Sequence, residues 1–163
     1  QSRGLGDVYK RQVLLPLLLL KRAAASLRMD CGEPDDLAAS AKYVRRAAFD
    51  IGSGSSKLQV ADVDVESGRI VHVLHASEVP VPFSIDWKQS ATNELSEMIQ
   101  SQGLEVLGEL SRKARALGAA ESAGIATEVF RKASNGAEYL RKIKDRLGID
   151  VRLIAQEDEA RLG

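Results

Sequence analysis

A short run of residues, 50–55, combines the side chains and the backbone freedom that phosphate chemistry requires. Apolar residues lead into Asp50, and the turn that follows reads Gly52-Ser53-Gly54-Ser55. Glycine and serine let backbone N–H groups and hydroxyls approach phosphate oxygens, while an aspartate can hold a hydrated cation beside them. We therefore predict phosphate binding by Gly52, Ser53, Gly54 and Ser55, and metal binding by Asp50.

The same turn also has a plain structural interpretation. Glycine and serine are common in β-hairpin turns, and the turn taken alone favours a simple hairpin over a phosphate site. The functional interpretation therefore needs support from other parts of the chain.

Three further segments supply that support, because together they resemble the exopolyphosphatase and guanosine-pentaphosphate phosphohydrolase (Ppx/GppA) family. Members of this family open with Asp-x-Gly-Ser-Asn-Ser, which residues 50–55 match except that Gly54 replaces the asparagine. Residues 95–97 match the family's Leu-Ser-Glu helix start. Residues 126–135 match Ala-Thr-x-x-x-Arg-x-Ala-x-Asn, and residues 158–162 match Glu-Glu-Ala-Arg-Leu with aspartate in place of the first glutamate. Four motifs in matched order are much more specific than any one of them.

The resemblance implies both the chemistry and the remaining site residues. It implies hydrolysis of phosphoanhydride bonds in polyphosphate or guanosine pentaphosphate, with Mg²⁺ as the cofactor. By position in the family pattern, Thr127 would bind phosphate and Arg131 would contact the transferred phosphoryl group. Asp158 would be the base that orients the attacking water, and the neighbouring Glu159 could take over that role.

These assignments have structural alternatives. Arg131 could be a solvated arginine on a helix surface, since most arginines are exposed. The acidic run that includes Asp158 could simply place negative charge at a helix N-terminus, where the macrodipole favours it.

The pattern of apolar residues predicts three strands that form an antiparallel meander. They cover residues 47–51, 58–65 and 70–74, joined by short turns rich in glycine and serine. Residues 79–87 are predicted to be a loop, because Pro80 and Pro82 cannot donate ladder hydrogen bonds. His72 and His75 are three residues apart in the third strand, so alternation predicts that they lie on opposite faces and cannot share a metal ion.

Helices and parallel strands are predicted for the rest of the chain. Ser96 can cap a long amphipathic helix that ends near Gly118. Asn135 and Glu138 form a predicted capping box for a helix that ends at Gly148. Strands are predicted at residues 122–126 and 151–154, with a further helix from residue 156. The class is α/β, with a mixed sheet flanked by helices. The resemblance makes it the first lobe of a ribonuclease-H-like fold of the sugar kinase and actin type.

Composition limits the function classes. The chain has 163 residues, with 23 basic and 23 acidic side chains, so no overall field attracts nucleic acid. Its single cysteine, Cys31, cannot form an internal disulfide, which favours a reducing, cytoplasmic location. The apolar run at residues 13–20 is too short to span a bilayer, which needs about 20 residues. We therefore expect neither nucleic acid nor a membrane as a partner. A homodimer is compatible with the composition.

The ends of the chain suggest a domain division. Residues 1–28 resemble translated leader sequence that is not native to the protein, and 29–46 are expected to be a flexible lead-in that begins at Met29. Residues 47–163 are then the N-terminal lobe, and the partner that would complete the active site is a missing C-terminal lobe.

Two other functions are compatible with the same fold. A nucleotide-binding lobe of a sugar kinase or actin type also opens with an acidic strand and a phosphate turn. A non-catalytic phosphate-binding relative would explain why Gly54 and Asp158 depart from the family pattern. The segment around Arg131 resembles the phosphohydrolases rather than the kinases.

Overall fold

The structure, a computed structural model, describes residues 42–154, which form a mixed sheet with helices. The sheet has five strands in the order β3-β2-β1-β4-β5. The strands are β1 Tyr43–Ile51, β2 Ser55–Asp64, β3 Ile70–Pro80, β4 Glu121–Ala126 and β5 Asp150–Leu153. The helices of the described part are α1 Phe83–Gln89, α2 Glu97–Ala116, α3 Glu128–Lys132 and α4 Gly136–Leu147. The predicted α/β class is confirmed.

The sheet combines a meander with two parallel pairings. Strand β2 pairs antiparallel with both β1 and β3, as predicted. Strand β4 pairs parallel with β1, and β5 pairs parallel with β4, through the helical crossovers. Ile51, Ala126 and Leu153 are in register, so the three parallel strands stop at the same level. We call this level the carboxyl end of the sheet.

One large apolar cluster joins the sheet to the helices. Alternate residues of β1 and β2, among them Phe49 and Leu58, pack against residues from all four helices of the described part. A smaller cluster, centred on Ala48, Ala61 and Val63, consists of strand residues on the opposite face. Residues of β1 and β2 therefore alternate between the two faces, as expected for extended chain.

Three aromatic rings form the centre of the large cluster. Phe83 of α1 meets Phe130 of α3 edge to face, with ring centroids 5.0 Å apart. Tyr139 of α4 stacks on Phe130 at 5.9 Å and lies 5.7 Å from Phe83. Two glycines permit this packing. A Cβ atom at Gly103 of α2 would lie 2.2 Å from the Tyr139 hydroxyl, and one at Gly136 would lie 2.2 Å from the Phe130 carbonyl oxygen.

The predicted ends of the long helices are largely confirmed. The Ser96 hydroxyl accepts a hydrogen bond from the Ile99 amide at 3.2 Å and caps α2. Gly118, just past the end of α2, and Gly148, just past α4, adopt positive φ angles of 80° and 69°. Such angles favour glycine.

The predicted capping box at Asn135 is wrong. Asn135 does precede α4, but its side chain makes no capping hydrogen bond. Its Oδ1 accepts from the Leu95 amide and its Nδ2 donates to the Leu95 carbonyl, both at 2.9 Å. Glu138 instead pairs with Lys142. The planar side-chain amide of Asn135 can bond the N–H and the C=O of one distant residue at the same time. In this protein it does so with Leu95 and does not cap the helix.

Several element boundaries also differ from the prediction. Strand β1 begins at Tyr43, before the predicted start at Ala47. The predicted loop at residues 79–87 is wrong, because β3 continues through Pro80 and α1 begins at Phe83. Pro80 is tolerated since β3 is at the edge of the sheet, where a missing amide donor costs little. Residues 1–41 and 155–163, which include most of the predicted lead-in and the last predicted helix, lie outside the described residues.

The register of β3 changes the prediction for its histidines. Register shifts occur between Val60 and Ala61 and between Asp62 and Val63, which marks a β-bulge or similar irregularity. His75 is opposite Val60, and His72 is opposite Asp62. Since Val60 and Asp62 share a face of β2, the two histidines also share one face. The described residues nevertheless contain no group of three His, Cys, Asp or Glu side chains that could hold a metal ion.

An arginine connects the meander to α2 at the opposite end of the sheet. Arg45 holds Asp62 with two hydrogen bonds, of 2.8 and 3.2 Å, and donates to the carbonyl of Leu117 at 2.9 Å. The hydrogen bonds from Arg45 lower the pKa of Asp62. One guanidinium thus connects β1, β2 and the end of α2, where a positive charge is favourable.

Within residues 42–154, no helix is both long and apolar enough to cross a membrane.

Two glycines of α2 give a matched stability test of the aromatic packing. We expect Gly103→Ala to lower the free energy of unfolding by about 1–3 kcal/mol, because its methyl group would overlap Tyr139 and Phe83. Gly108→Ala should raise it by up to about 1 kcal/mol, because its Cβ would make only ordinary contacts at 3.7 Å. Chemical denaturation of both variants measures the difference.

Tyr139→Phe provides the control for this interpretation. The Tyr139 hydroxyl is buried and makes no hydrogen bond within the described residues. Its removal should leave the stability unchanged or raise it, and should reduce the cost of Gly103→Ala. Equal effects of the two alanine substitutions in α2 would contradict the proposed packing constraint.

Asn135→Asp tests the contact with Leu95. The carboxylate keeps the acceptor for the Leu95 amide but places a second acceptor against the Leu95 carbonyl, so we expect a loss of about 1–3 kcal/mol in the free energy of unfolding. If Asn135 served only as a helix cap, aspartate would be an equal substitute and the midpoint of denaturation would not change.

Candidate active site

The candidate residues gather at the carboxyl end of the sheet because of strand register. Ile51 and Ala126 are neighbours in register, so the turn after β1 and Thr127 after β4 emerge side by side. In parallel sheets, the loops beyond the carboxyl ends of the strands form the usual ligand site. The structure therefore brings together Asp50, residues 52–55 and Thr127, which are distant in sequence.

The turn at residues 52–55 is a tight connection between β1 and β2. The Gly52 amide donates to the Ser55 carbonyl at 2.8 Å and closes the hairpin. The carbonyl of Ser53 accepts from the Ser84 amide at 2.8 Å, and that of Gly54 accepts from the Val81 amide at 3.0 Å. Two carbonyls of the turn are thus bound to the segment that starts α1, which fixes the turn from one side.

The two glycines of the turn have different spatial constraints. A Cβ atom at Gly52 would lie 3.1 Å from the Ser55 carbonyl oxygen, so this position is tight. A Cβ atom at Gly54 would meet nothing within 4 Å. Gly54 is also absent from the glycines with positive φ. The backbone at position 54 can therefore accept the asparagine that is typical of the family.

A row of charged residues crosses the meander next to the turn. Asp50 is directly opposite Lys57, and Lys57 is directly opposite Glu78 on β3. These three residues share the face opposite the large apolar cluster. Asp50 is only 9% exposed, whereas Glu78 is exposed. The Ser55 hydroxyl donates to Glu78 Oε1 at 2.5 Å.

Helix α3 carries Arg131 to the same end of the sheet. Thr127 is the residue before α3, and its side chain makes no capping hydrogen bond. Arg131 is exposed, and its Nη1 donates to the carbonyl of Ile154, the residue after β5. The Ile154 amide donates to the Ala126 carbonyl at 3.2 Å. Arg131 thus lies beside the ends of β4 and β5.

Neighbouring contacts hold α3 in place. Glu128 and Lys132 form an ion pair one turn apart, and this contact lowers the pKa of Glu128. The Lys132 ammonium also lies 5.8 Å from the centre of the Trp87 ring. Trp87 Nε1 donates to Asn93 Oδ1 at 2.7 Å. The single tryptophan of the chain therefore has a packing role between α1 and α3.

The sequence prediction located part of this site and missed part. The structure brings Asp50, the turn, Thr127 and Arg131 to one end of the sheet. Asp158 and Glu159 lie outside the described residues, so their roles stay predictions. Sequence reasoning missed Glu78, because its strand was predicted to end at residue 74. Residues 76–80 read Ala-Ser-Glu-Val-Pro, which carries no clear alternation, so little in the sequence indicated the longer strand.

Two solved structures have an architecture similar to that of this chain. A Ppx/GppA family member from Aquifex aeolicus gives a TM-score of 0.63 at 26% identity, over 73% of this chain and 37% of that chain. An exopolyphosphatase from Cytophaga hutchinsonii gives a TM-score of 0.61 at 20% identity, over 72% of this chain and 36% of that chain. The chain thus spans little more than a third of the length of either protein. No curated protein sequence matches significantly.

The sequence itself matches at the level of the family. The model of the Ppx/GppA phosphatase family matches residues 48–163. That range includes Asp50, the turn, Thr127, Arg131 and the acidic residues that follow β5. Register, turn geometry, fold and sequence thus agree, and the chain belongs to the Ppx/GppA phosphatase family.

Proposed function

We propose that this chain is the phosphate-binding lobe of an enzyme that hydrolyses phosphoanhydride bonds. The observation that carries the proposal is the register of Ile51, Ala126 and Leu153. It places a buried carboxylate, a small-residue turn and an arginine at one end of the sheet, inside the range that matches the family. Phosphoryl transfer depends mainly on such positioning and on charge neutralisation.

The turn at residues 52–55 is suited to an anion on one side. Its Ser53 and Gly54 carbonyls, which would repel phosphate oxygens, are bound by amides of the α1 segment. A phosphate would therefore approach the amide side of the turn, where little side chain is in the way. Thr127, whose hydroxyl is not used as a helix cap, provides a further donor from the adjacent strand end.

The described residues fit Mg²⁺ as a partly hydrated ion. The carboxylate of Asp50 is nine-tenths buried at the carboxyl end of the sheet, and carboxylate oxygens are preferred ligands of Mg²⁺. The described residues contain no group of three His, Cys, Asp or Glu side chains that could hold a metal ion, so they provide few direct ligands. Mg²⁺ commonly uses one or two carboxylates and completes its shell with water and substrate phosphates. When bound, it would neutralise charge on the phosphates.

Arg131 and Asp158 are proposed to act on the transferred phosphoryl group and on the attacking water. The Arg131 guanidinium is held beside the end of β5 by Ile154, and a planar guanidinium suits phosphate oxygens. Asp158 follows Ile154 by four residues in the sequence, within the range that matches the family. Glu159, the next residue, is the alternative base.

The proposed substrate is polyphosphate or guanosine pentaphosphate, since the family match is compatible with both. Polyphosphate is the substrate used in the tests below. The coverage of only 37% of the Aquifex aeolicus chain supports a second lobe as the partner that completes the cleft. We place the enzyme in the cytoplasm, as its single cysteine suggests.

Two substitutions in the longer protein test the proposed roles. Arg131→Ala should raise KM for polyphosphate and lower kcat, because the guanidinium contacts the phosphoryl group in both the bound and the transition state. Asp158→Asn should lower kcat by about 100-fold with KM nearly unchanged, because it removes only the basic lone pair. Phosphate release measures both constants.

The same assay includes the controls. Glu159→Gln tests the alternative base. If turnover fell in Glu159→Gln and was retained in Asp158→Asn, the base would be Glu159. If neither substitution slowed turnover, the acidic run would have no catalytic role, and its charge would serve only to stabilise a helix N-terminus. The 163-residue chain alone should release phosphate at the background rate, since half of the proposed clamp is absent.

Gly54→Asn tests the departure from the family pattern. The open space around position 54 predicts that the free energy of unfolding changes by less than about 0.5 kcal/mol. The added amide can donate to phosphate, so binding of tripolyphosphate should become tighter. Gly52→Asn is the matched control and should destabilise the chain, because its Cβ would crowd the Ser55 carbonyl. Unchanged phosphate affinity in Gly54→Asn would show that this position does not face the ligand.

A further inference from the structure

Asn93, an exposed residue in the loop between α1 and α2, connects that loop to the end of α3. Among the described non-glycine residues, it alone has a positive φ angle, of 60°. Its Oδ1 accepts from Trp87 Nε1 at 2.7 Å, and its Nδ2 donates to the Lys132 carbonyl at 3.0 Å. Its own carbonyl accepts from the amide of Ser134 at 2.9 Å and from the Ser134 hydroxyl at 3.1 Å. Asparagine adopts this left-handed conformation more readily than most residues, so one loop position can supply all four contacts.

Two of these contacts fall on the helix that carries Arg131 and on the residues just after it. Helix α3 has only five residues. A helix of this length is not stable by itself, and its last carbonyls have no partner within the helix. Asn93 binds one of these carbonyls, that of Lys132, the residue next to Arg131. The end of α3 is therefore held by a side chain 39 positions earlier in the sequence.

The other side-chain contact of Asn93 leads to the phosphate turn. Trp87 belongs to α1, and amides at the start of α1 and just before it bind the turn at residues 52–55. The Oδ1 and Nδ2 atoms of Asn93 are part of one planar amide, so a single rigid group connects Trp87 to Lys132. The Lys132 ammonium lies 5.8 Å from the centre of the Trp87 ring and adds a second contact. Helices α1 and α3 are thus joined at the surface as well as through their aromatic contact in the core.

We propose that Asn93 is a positioning residue for Arg131, and that it sets the place from which α3 presents the guanidinium to phosphate. The inference rests on the proposed function, in which Arg131 contacts the transferred phosphoryl group. Ile154 holds the guanidinium from the side of β5, whereas Asn93 holds the backbone of α3 from the side of α1. A shift of about 1 Å in a group that binds the reacting phosphate is enough to slow a reaction strongly. The loss of Asn93 should therefore weaken the use of Arg131 while the fold is retained.

Two substitutions at position 93 remove the contact with α3 in different ways. Asn93→Gly keeps the positive φ angle and the backbone contacts with Ser134, but it removes both side-chain hydrogen bonds. Asn93→Asp keeps an acceptor for Trp87 and replaces the donor to the Lys132 carbonyl by a second acceptor. Asn93→Gly adds no charge, so an effect shared by both variants reports the lost contact with Lys132.

Binding of tripolyphosphate to the 163-residue chain, with a chelator present, measures the consequence without hydrolysis. We expect both variants to bind about three- to tenfold more weakly, the effect of one lost hydrogen bond. Asp62→Ala is the control for stability, because it removes the ion pair with Arg45 at the opposite end of the sheet. It should lower the midpoint of thermal unfolding and leave the affinity for tripolyphosphate within about twofold, since the two sites are independent.

A double-mutant cycle with Arg131 distinguishes positioning from general stabilisation. If Asn93 acts through Arg131, Asn93→Gly should not change the affinity further in the Arg131→Ala background. A purely structural loss would weaken binding in both backgrounds. In the longer protein, Asn93→Gly should raise KM and lower kcat in the same sense as Arg131→Ala, by smaller factors.

Three results would overturn the inference while leaving the phosphate site intact. They are unchanged affinity in both variants at position 93, equal losses with and without Arg131, and a loss of the same size in Asp62→Ala. No binding of tripolyphosphate to the wild-type chain would overturn the inference together with the proposed phosphate site. If the binding cycle gave the expected result and the longer protein did not hydrolyse polyphosphate, only the proposed function would fail.

Discussion

The contact between Phe83 and Phe130, closed by Tyr139, holds together the segments on which the candidate site depends. Phe83 begins α1, and the amides of Val81 and Ser84, two residues before it and one after, donate to carbonyls of the turn at residues 52–55. Phe130 immediately precedes Arg131. The ring contact therefore couples the turn to the arginine through the core, with centroids 5.0 Å apart. Gly103 and Gly136 permit this approach, since a side chain at either position would collide with it. Core packing is thus a positional requirement of the site.

Much of the fold could be predicted from sequence because its signals are local. The Ser96 cap and the glycines after α2 and α4 act within one helical turn, and the structure places them as predicted. The turn after Asp50 is equally local. These features depend on backbone conformations and short contacts that a few neighbouring residues determine. The family pattern then joined separate local signals into one site at the carboxyl end of the sheet.

The remaining features depend on contacts between distant residues, which periodicity does not report. Asn135 looked like a helix cap, but its amide binds Leu95, forty residues away. Simple alternation assigned His72 and His75 to opposite faces. A register shift in β3 interrupts that alternation and places both on one face. Glu78 entered the site only because β3 extends past its predicted end. In each case, tertiary pairing decided between local alternatives of similar energy.

The irregular register of β3 also bears on how well this strand could pair with strands of other molecules. This strand is the edge of the sheet and carries the exposed Val71 and Val73, at 52% and 42% exposure. A long flat edge with apolar side chains is a template for strands of other molecules. Its pairing with β2 contains register shifts, which bend and twist a strand, and Pro80 has no amide donor. The same distortion that moves the histidines therefore makes the strand a poor template for aggregation.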